Sequence, residues 1–258
     1  MLKRLKEIIA YKEMIKSFVK KDLNTRYKGS FLGFLWTFVN PLLQLIVYSI
    51  IFPQIMKFSQ DNYSMFLFVA LIPWSYFTSC LQGSASIIIG NSNLVTKIYF
   101  PREVIPISFT ISGLINMFYS YLIVFPMLIL FKIPITWNIL WLPFLFIFQM
   151  IMCLGFSMLI SSLNVYFRDV EHIIGILVLA IYFMTPVIYD INMMPESFGT
   201  ILKLNPMTGF ITAYREVLYY GNGLDIQQIS YSLIMSFVIF GLGYTVFSKL
   251  QKGFAEIL

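Results

Sequence analysis

Arg26 and Lys28 flank Tyr27 just ahead of an uncharged apolar run that begins at Phe31. An arginine pairs with phosphate oxygens in a two-pronged geometry, and a lysine adds a compact point charge. Placed where a basic segment becomes a membrane span, Arg26, Tyr27 and Lys28 are candidates for recruiting a large anionic, lipid-linked substrate. Gly29 and Gly33 follow in a small-xxx-small spacing, which permits close backbone approach between helices.

Other chemistries lack their residues. There is no Gly-x-x-x-x-Gly-Lys-Ser/Thr sequence, so the chain has no phosphate-binding loop of its own. His172 is the single histidine and stands beside Glu171; without Cys or a second His it forms no metal site. No nucleophile motif joins Ser, His and Asp, and no catalytic residue is assigned. Ionisable residues are nearly absent from the apolar runs, whereas ion- and proton-coupled carriers place them at the membrane midplane. The energy source is then external to this chain.

Two short segments could receive that energy. In the first, Lys97, Ile98, Tyr99, Phe100, Arg102 and Glu103 combine charge with apolar rings that would be exposed without a partner. In the second, Arg168 and Asp169 could contact a partner, or equally form an internal salt bridge or helix cap. Aromatic residues make up 18% of the chain, and Trp36, Phe38, Tyr48, Trp74, Tyr76 and Phe77 fall on the first two spans. Most membrane aromatics face lipid or the interface. Collectively, though, rings can stack on sugar faces, and these six are candidates for lining a polymer channel.

The elements that must position these residues are helical and membrane-embedded. The chain of 258 residues is 59% hydrophobic and 12% charged, too little charge for a soluble surface. The long apolar runs do not alternate with polar residues, which excludes a β-barrel. The expected fold is an all-α integral membrane protein with six spans, near 31–56, 63–96, 104–130, 137–165, 173–189 and 226–247. Residues 1–25 read as an amphipathic interface helix lying on an anionic membrane surface. The second run exceeds one crossing, and its polar end should protrude into the cytosol. Pro41 and Pro73 should kink or break their helices.

Residues 190–225 are mixed in polarity. Two short re-entrant helices near 195–203 and 206–220 are expected there, with Asn205-Pro206 as an N-cap and Gly221 as a stop. Fourteen of the eighteen Lys and Arg residues fall on the side of the termini, which places both termini in the cytosol. That bias also accounts for the net charge of +6 without nucleic acid. Cys80 and Cys153 lie in apolar runs and imply no disulfide.

Taken together, Arg26 to Trp36 with Asn40-Pro41, Phe100-Pro101-Arg102-Glu103, Asn164 to Val170 and Leu204 to Thr208 resemble the transmembrane subunit of polysaccharide-type ABC exporters. These are the permeases for O-antigen, capsule and teichoic-acid-type polymers. The resemblance spans essentially the whole chain. It implies a homodimer in the bacterial plasma membrane with two ATPase subunits docked on the cytosolic face. ATP and Mg would be used by those partners, and this chain would bind no cofactor. The resemblance further implies a coupling helix near 94–103, gate helices near 195–220 and a pore between the two subunits. A polyprenyl-diphosphate-linked polymer would be admitted beside Arg26 and Lys28. The alternatives are an exporter of small amphipathic molecules, a secondary carrier and a membrane enzyme acting on lipid-linked sugars. Short outer loops and a basic entrance disfavour the first, missing midplane charges the second, and unpaired outer acids the third.

Overall fold

The computed structural model describes residues 2–26, 28–55 and 62–258. Among these residues every regular element is helical: α1 (Leu2–Ala10), α2 (Lys12–Arg26), α3 (Trp36–Ile55), α4 (Tyr63–Ser84), α5 (Ser92–Lys97), α6 (Val104–Leu130), α7 (Leu142–Tyr166), α8 (Val170–Phe183), α9 (Glu196–Lys203), α10 (Pro206–Arg215), α11 (Ile226–Leu250) and α12 (Phe254–Ile257). Four helical segments are long and apolar enough to cross a membrane: Tyr63–Ser84, Val104–Leu130, Trp137–Tyr166 and Ile226–Ile257. Two shorter apolar stretches, Trp36–Ile51 and Val170–Phe183, join them.

The basic N-terminal segment forms two helices that break at Tyr11, where one had been expected. Its apolar face is partly covered by protein, while Ile9 on α1 stays exposed. Tyr11, Met14, Ile15 and Phe18 pack on a cluster that contains Phe100, Val104, Phe247 and Phe254. Polar contacts fix the register: the Ser112 hydroxyl on α6 donates to Asp22, and Lys21 Nζ donates to Asn91 Oδ1 at 3.2 Å. We call the end of the molecule that holds these helices and the C-terminal residues the terminal face.

α4 is the central helix, buried along most of its length against α3, α6, α7 and α10. It runs unbroken through Pro73, as α3 does through Pro41, so neither proline ends a helix. A buried polar network meets α4 at Pro73. Gln149 Nε2 donates to the Pro73 carbonyl at 2.8 Å, and the Tyr214 hydroxyl donates to Gln149 Oε1 at 2.9 Å. Buried polar groups in an apolar layer require such closure. Beyond Ser84 the long second run turns and re-forms as α5, so it is not one protruding helix. Cys80 and Cys153 are both free and buried.

α7 and α11 form the most extensive helix pair. A Cβ at Gly243 would meet the Gly155 carbonyl oxygen at 2.0 Å, and one at Gly155 would meet Phe240 Cα at 2.6 Å. These two glycines bring the backbones together. Gly29 and Gly33, expected to do so, have open space around them and positive φ values of 82° and 49°. They let the chain turn, because only glycine adopts this region without strain.

At the far face, α8 stops at Phe183, short of the expected Tyr189. Thr185 is biased away from the helical region by Pro186, which explains the early stop. α9 and α10 fall where expected. Asn205 caps α10 by accepting from the Met207 N–H at 3.0 Å, and Pro206 occupies the first turn. Asp225 caps α11 in the same way through Gln227 and Gln228. The polar turn expected at 57–62 lies, except for Asn62, outside the described residues.

Candidate functional site

The cationic turn joins the end of α2 to the start of α3. Arg26 is the last residue of α2, Lys28 is exposed, and Tyr27 lies outside the described residues. The turn is closed by the Gly33 N–H, which donates to the Ser30 carbonyl at 3.1 Å, and by Trp36 Nε1, which donates to Ser30 Oγ at 2.6 Å. Phe31 is 102% exposed beside it. A basic, aromatic-flanked turn where a polar helix meets an apolar one suits an anionic headgroup at a membrane interface.

The segment 97–103 divides into an outward and an inward part. Lys97, Ile98 and Tyr99 are exposed, Tyr99 by 84%. Phe100 points inward, with its ring 6.5 Å from that of Phe18. Phe100 therefore anchors the segment, while Ile98 and Tyr99 are available to a partner. Arg102 and Glu103 turn toward the C-terminal residues. Arg102 Nη1 donates to the Gln251 carbonyl, and Gln251 Nε2 donates to Glu103 Oε1 at 3.0 Å.

The same C-terminal residues reach the second loop. The Tyr166 hydroxyl donates to the Leu250 carbonyl at 2.9 Å, and the buried Phe254 ring packs on Phe247, Tyr166 and the Arg102 guanidinium. Arg168 and Asp169 are exposed, and the Asp169 side chain makes no capping bond to α8. Orientation of that loop comes instead from Asn164, whose Nδ2 donates to Ala85 O at 2.8 Å and whose Oδ1 accepts from the Glu171 N–H at 3.2 Å. The tail thus ties both candidate partner segments into one unit. Nothing in the sequence of residues 248–258 signals this, because two of its three polar contacts use backbone carbonyls.

The six candidate channel aromatics fall in separate groups: Trp74 and Phe77 have ring centroids 5.5 Å apart, and Trp36 and Tyr76 line one cavity between α3, α4 and α6. Trp74, Tyr76 and Phe77 are packed inside the helix core: Trp74 against Tyr182, Phe77 against Phe156, and the Tyr76 hydroxyl on the Thr110 carbonyl at 3.2 Å. Trp74 and Phe77 cover other helices, while Tyr76 also borders the cavity that Trp36 lines. Trp36, Phe38 and Tyr48 on α3 are only half-buried.

Arg215 is one of the four cations away from the termini and falls in the helix expected over 206–220. It is 4% exposed and holds the turn after α8. Its guanidinium donates to the carbonyls of Phe66 at 3.2 Å, Pro186 at 2.5 Å, Tyr189 at 3.2 Å, and Val187. Burial lowers its pKa to about 9, with Asp190 opposing the shift, so it is charged at neutral pH. Burial and Asp190 push the neighbouring Tyr220 up to about 12, and its hydroxyl donates to Asp190 Oδ2 at 3.1 Å.

Among the described residues the chain is all-helical, with apolar helices that make it a multi-pass membrane protein. The chain belongs to the ABC-2 type transporter family, which matches residues 13–219. It is 31% identical over 258 residues to the O-antigen export system permease protein RfbA of Myxococcus xanthus, covering 99% of both chains. It is 35% identical over 244 residues to the protein of the same name from Klebsiella pneumoniae, covering 92% of each. Similarity at 23% identity over 257 residues extends to the polysialic acid transport protein KpsM of Escherichia coli, covering 93% of this chain and 95% of the other.

Proposed function

We propose that the chain is the permease subunit of an ATP-driven exporter that moves a lipid-linked polysaccharide from the cytosolic to the outer side of the bacterial plasma membrane. The observation that carries this reading is similarity over essentially the full length to permeases named for O-antigen export. In this reading α3, α4, α6, α7, α8 and α11 make six crossings, α9 and α10 are re-entrant gate helices, and the terminal face is cytosolic. Residues 1–25 form the interface element, and residues 26–258 form the transmembrane domain.

Two copies enclose the pore. The faces of α3 and α8 support this, since Ile46, Val47, Ile50, Ile176 and Leu179 are exposed in the single chain. α3 then brings Trp36, Phe38 and Tyr48 to the pore. Two separate ATPase subunits dock on Ile98, Tyr99 and the Arg168–Asp169 loop, and supply the energy with ATP and Mg. Arg26 and Lys28 receive the lipid diphosphate. The test is ATP-dependent accumulation of polymer inside inverted vesicles that hold this chain and its partner ATPase. Accumulation is expected with both proteins present. Its absence, with a folded complex and lipid-linked polymer supplied, overturns the reading.

A further inference from the structure

Seven uncharged polar side chains from three spans converge on one cavity. It measures about 190 Å³ between the first half of α3 and the middle of α4 and α6, and its lining includes Trp36, Thr37, Asn40, Gln44, Ser79 and Asn116. No charged residue lines it. A single ordered water needs only about 10–15 Å³, so the space is far larger than one water requires.

Thr37 lines this cavity and is 2% exposed, yet its hydroxyl has no hydrogen-bond partner among the described residues. An unpaired hydroxyl at membrane depth is costly, and the missing partner has to come from what the cavity holds. Nearby hydroxyls are already used as donors. Ser79 Oγ donates to the Tyr76 carbonyl at 2.9 Å, and Ser120 Oγ to the Asn116 carbonyl at 3.1 Å. Their oxygens keep lone pairs free to accept, while amide side chains both donate and accept. Such a lining suits a neutral group carrying several hydroxyls, and it offers no counter-charge to an ion.

Trp36 links the cavity to the cationic turn. Its indole N–H is spent on Ser30, which leaves the apolar ring bordering the cavity. Along the chain the order is cation, indole, hydroxyls and amides. A lipid-linked glycan has the matching order of diphosphate followed by sugar. We propose that this cavity is a binding site for a neutral polyhydroxylated group, and that it takes a sugar unit next to the lipid diphosphate. The second half of the proposal rests on the polysaccharide-export reading above.

The test uses the complete exporter in vesicles, with wild-type export of polymer measured in parallel. An Asn40→Cys variant is treated with N-ethylmaleimide; Cys80 and Cys153 are buried and stay unlabelled. Lipid-linked glycan is expected to slow labelling of the new thiol severalfold, and the same lipid diphosphate without sugar is expected to leave it unchanged. Thr37→Val is expected to raise KM for the glycan about two- to tenfold, the loss of one hydrogen bond, with Thr37→Ser restoring it. Equal labelling under all conditions while wild type exports polymer would mean a cavity that holds only water, and would overturn the sugar site alone. Protection by the bare lipid diphosphate would overturn it too, assigning the space to the carrier. If the wild-type complex fails to export, the export reading and the sugar site fall together.

Discussion

The guanidinium carbon of Arg215 sits 3.5 Å from the centre of the Phe66 ring, with the turn after α8 wrapped around its other side. One side chain on α10 thereby holds α4 and the carbonyls of Pro186, Val187 and Tyr189 together. Those carbonyls have no helical partners, and a five-donor planar fork can serve several of them at once. Arg215→Ala is expected to destabilise the protein by roughly 3 kcal/mol, because buried acceptors are left unpaired. Arg215→Lys should recover only part of this, since a point charge cannot match the fork. Thermal unfolding in detergent measures both, and equal stability of Arg215→Ala and wild type would contradict the clamp.

The contact between Gly155 and Gly243 leaves no room for a side chain. Gly243→Ala must push α11 off α7, at a cost of about 1–3 kcal/mol. Gly29→Ala meets no neighbour and carries only backbone strain, about 1–2 kcal/mol in a surface turn. Folded yield and unfolding temperature should therefore fall further for Gly243→Ala.

Tyr99 and Phe100 are adjacent and should behave differently. Tyr99→Ser removes an exposed ring, so it should weaken co-purification of the ATPase without changing the stability of the permease. Phe100→Ala empties part of the terminal-face cluster and should cost about 3–5 kcal/mol. Pull-down alongside unfolding measurements separates the two. Loss of stability in Tyr99→Ser would show that the residue is structural.

Phe254 and Gln251 connect the two partner segments without facing a partner themselves. Phe254 is fully buried in the same cluster as Phe100, so its truncation would cost similar stability; Gln251→Ala empties no core and should leave the ATPase bound and hydrolysing while lowering polymer exported per ATP. A coupling change of about 0.5–2 kcal/mol corresponds to roughly a two- to thirtyfold loss. The ratio of export to hydrolysis is the readout, and an unchanged ratio would leave the tail a packing element only.

The sequence was most informative where a local rule acts on adjacent residues. The bounds of α6 at Val104 and Leu130 follow from charge and apolar length, and Asn205-Pro206 marks the start of α10 through its cap. The end of α8 was misplaced: the apolar run set it at Tyr189, although Pro186 is a local stop signal within that run. Contacts between distant residues were not legible. Gly155 and Gly243 form no local spacing, whereas Gly29 and Gly33 have the spacing and use it for a turn. The clamp formed by Arg215 was not visible because its partners are backbone carbonyls, which leave no residue signature. The same holds for the cavity beside Thr37, whose lining comes from three separate helices. Aromatic content could not tell Trp74, packed in the core, from Trp36 at the mouth of α3.

The central claim is that an anionic lipid-linked polymer is admitted at the cationic turn. Its most direct test is the KM for lipid-linked polymer in ATP-dependent export, compared between Arg26→Ala, Lys28→Ala and Lys20→Ala. A charge-assisted hydrogen bond to phosphate contributes about 1.5–3 kcal/mol, so Arg26→Ala should raise KM about tenfold or more, Lys28→Ala less, and Lys20→Ala little. Equal and near-normal export by all three variants would contradict the account.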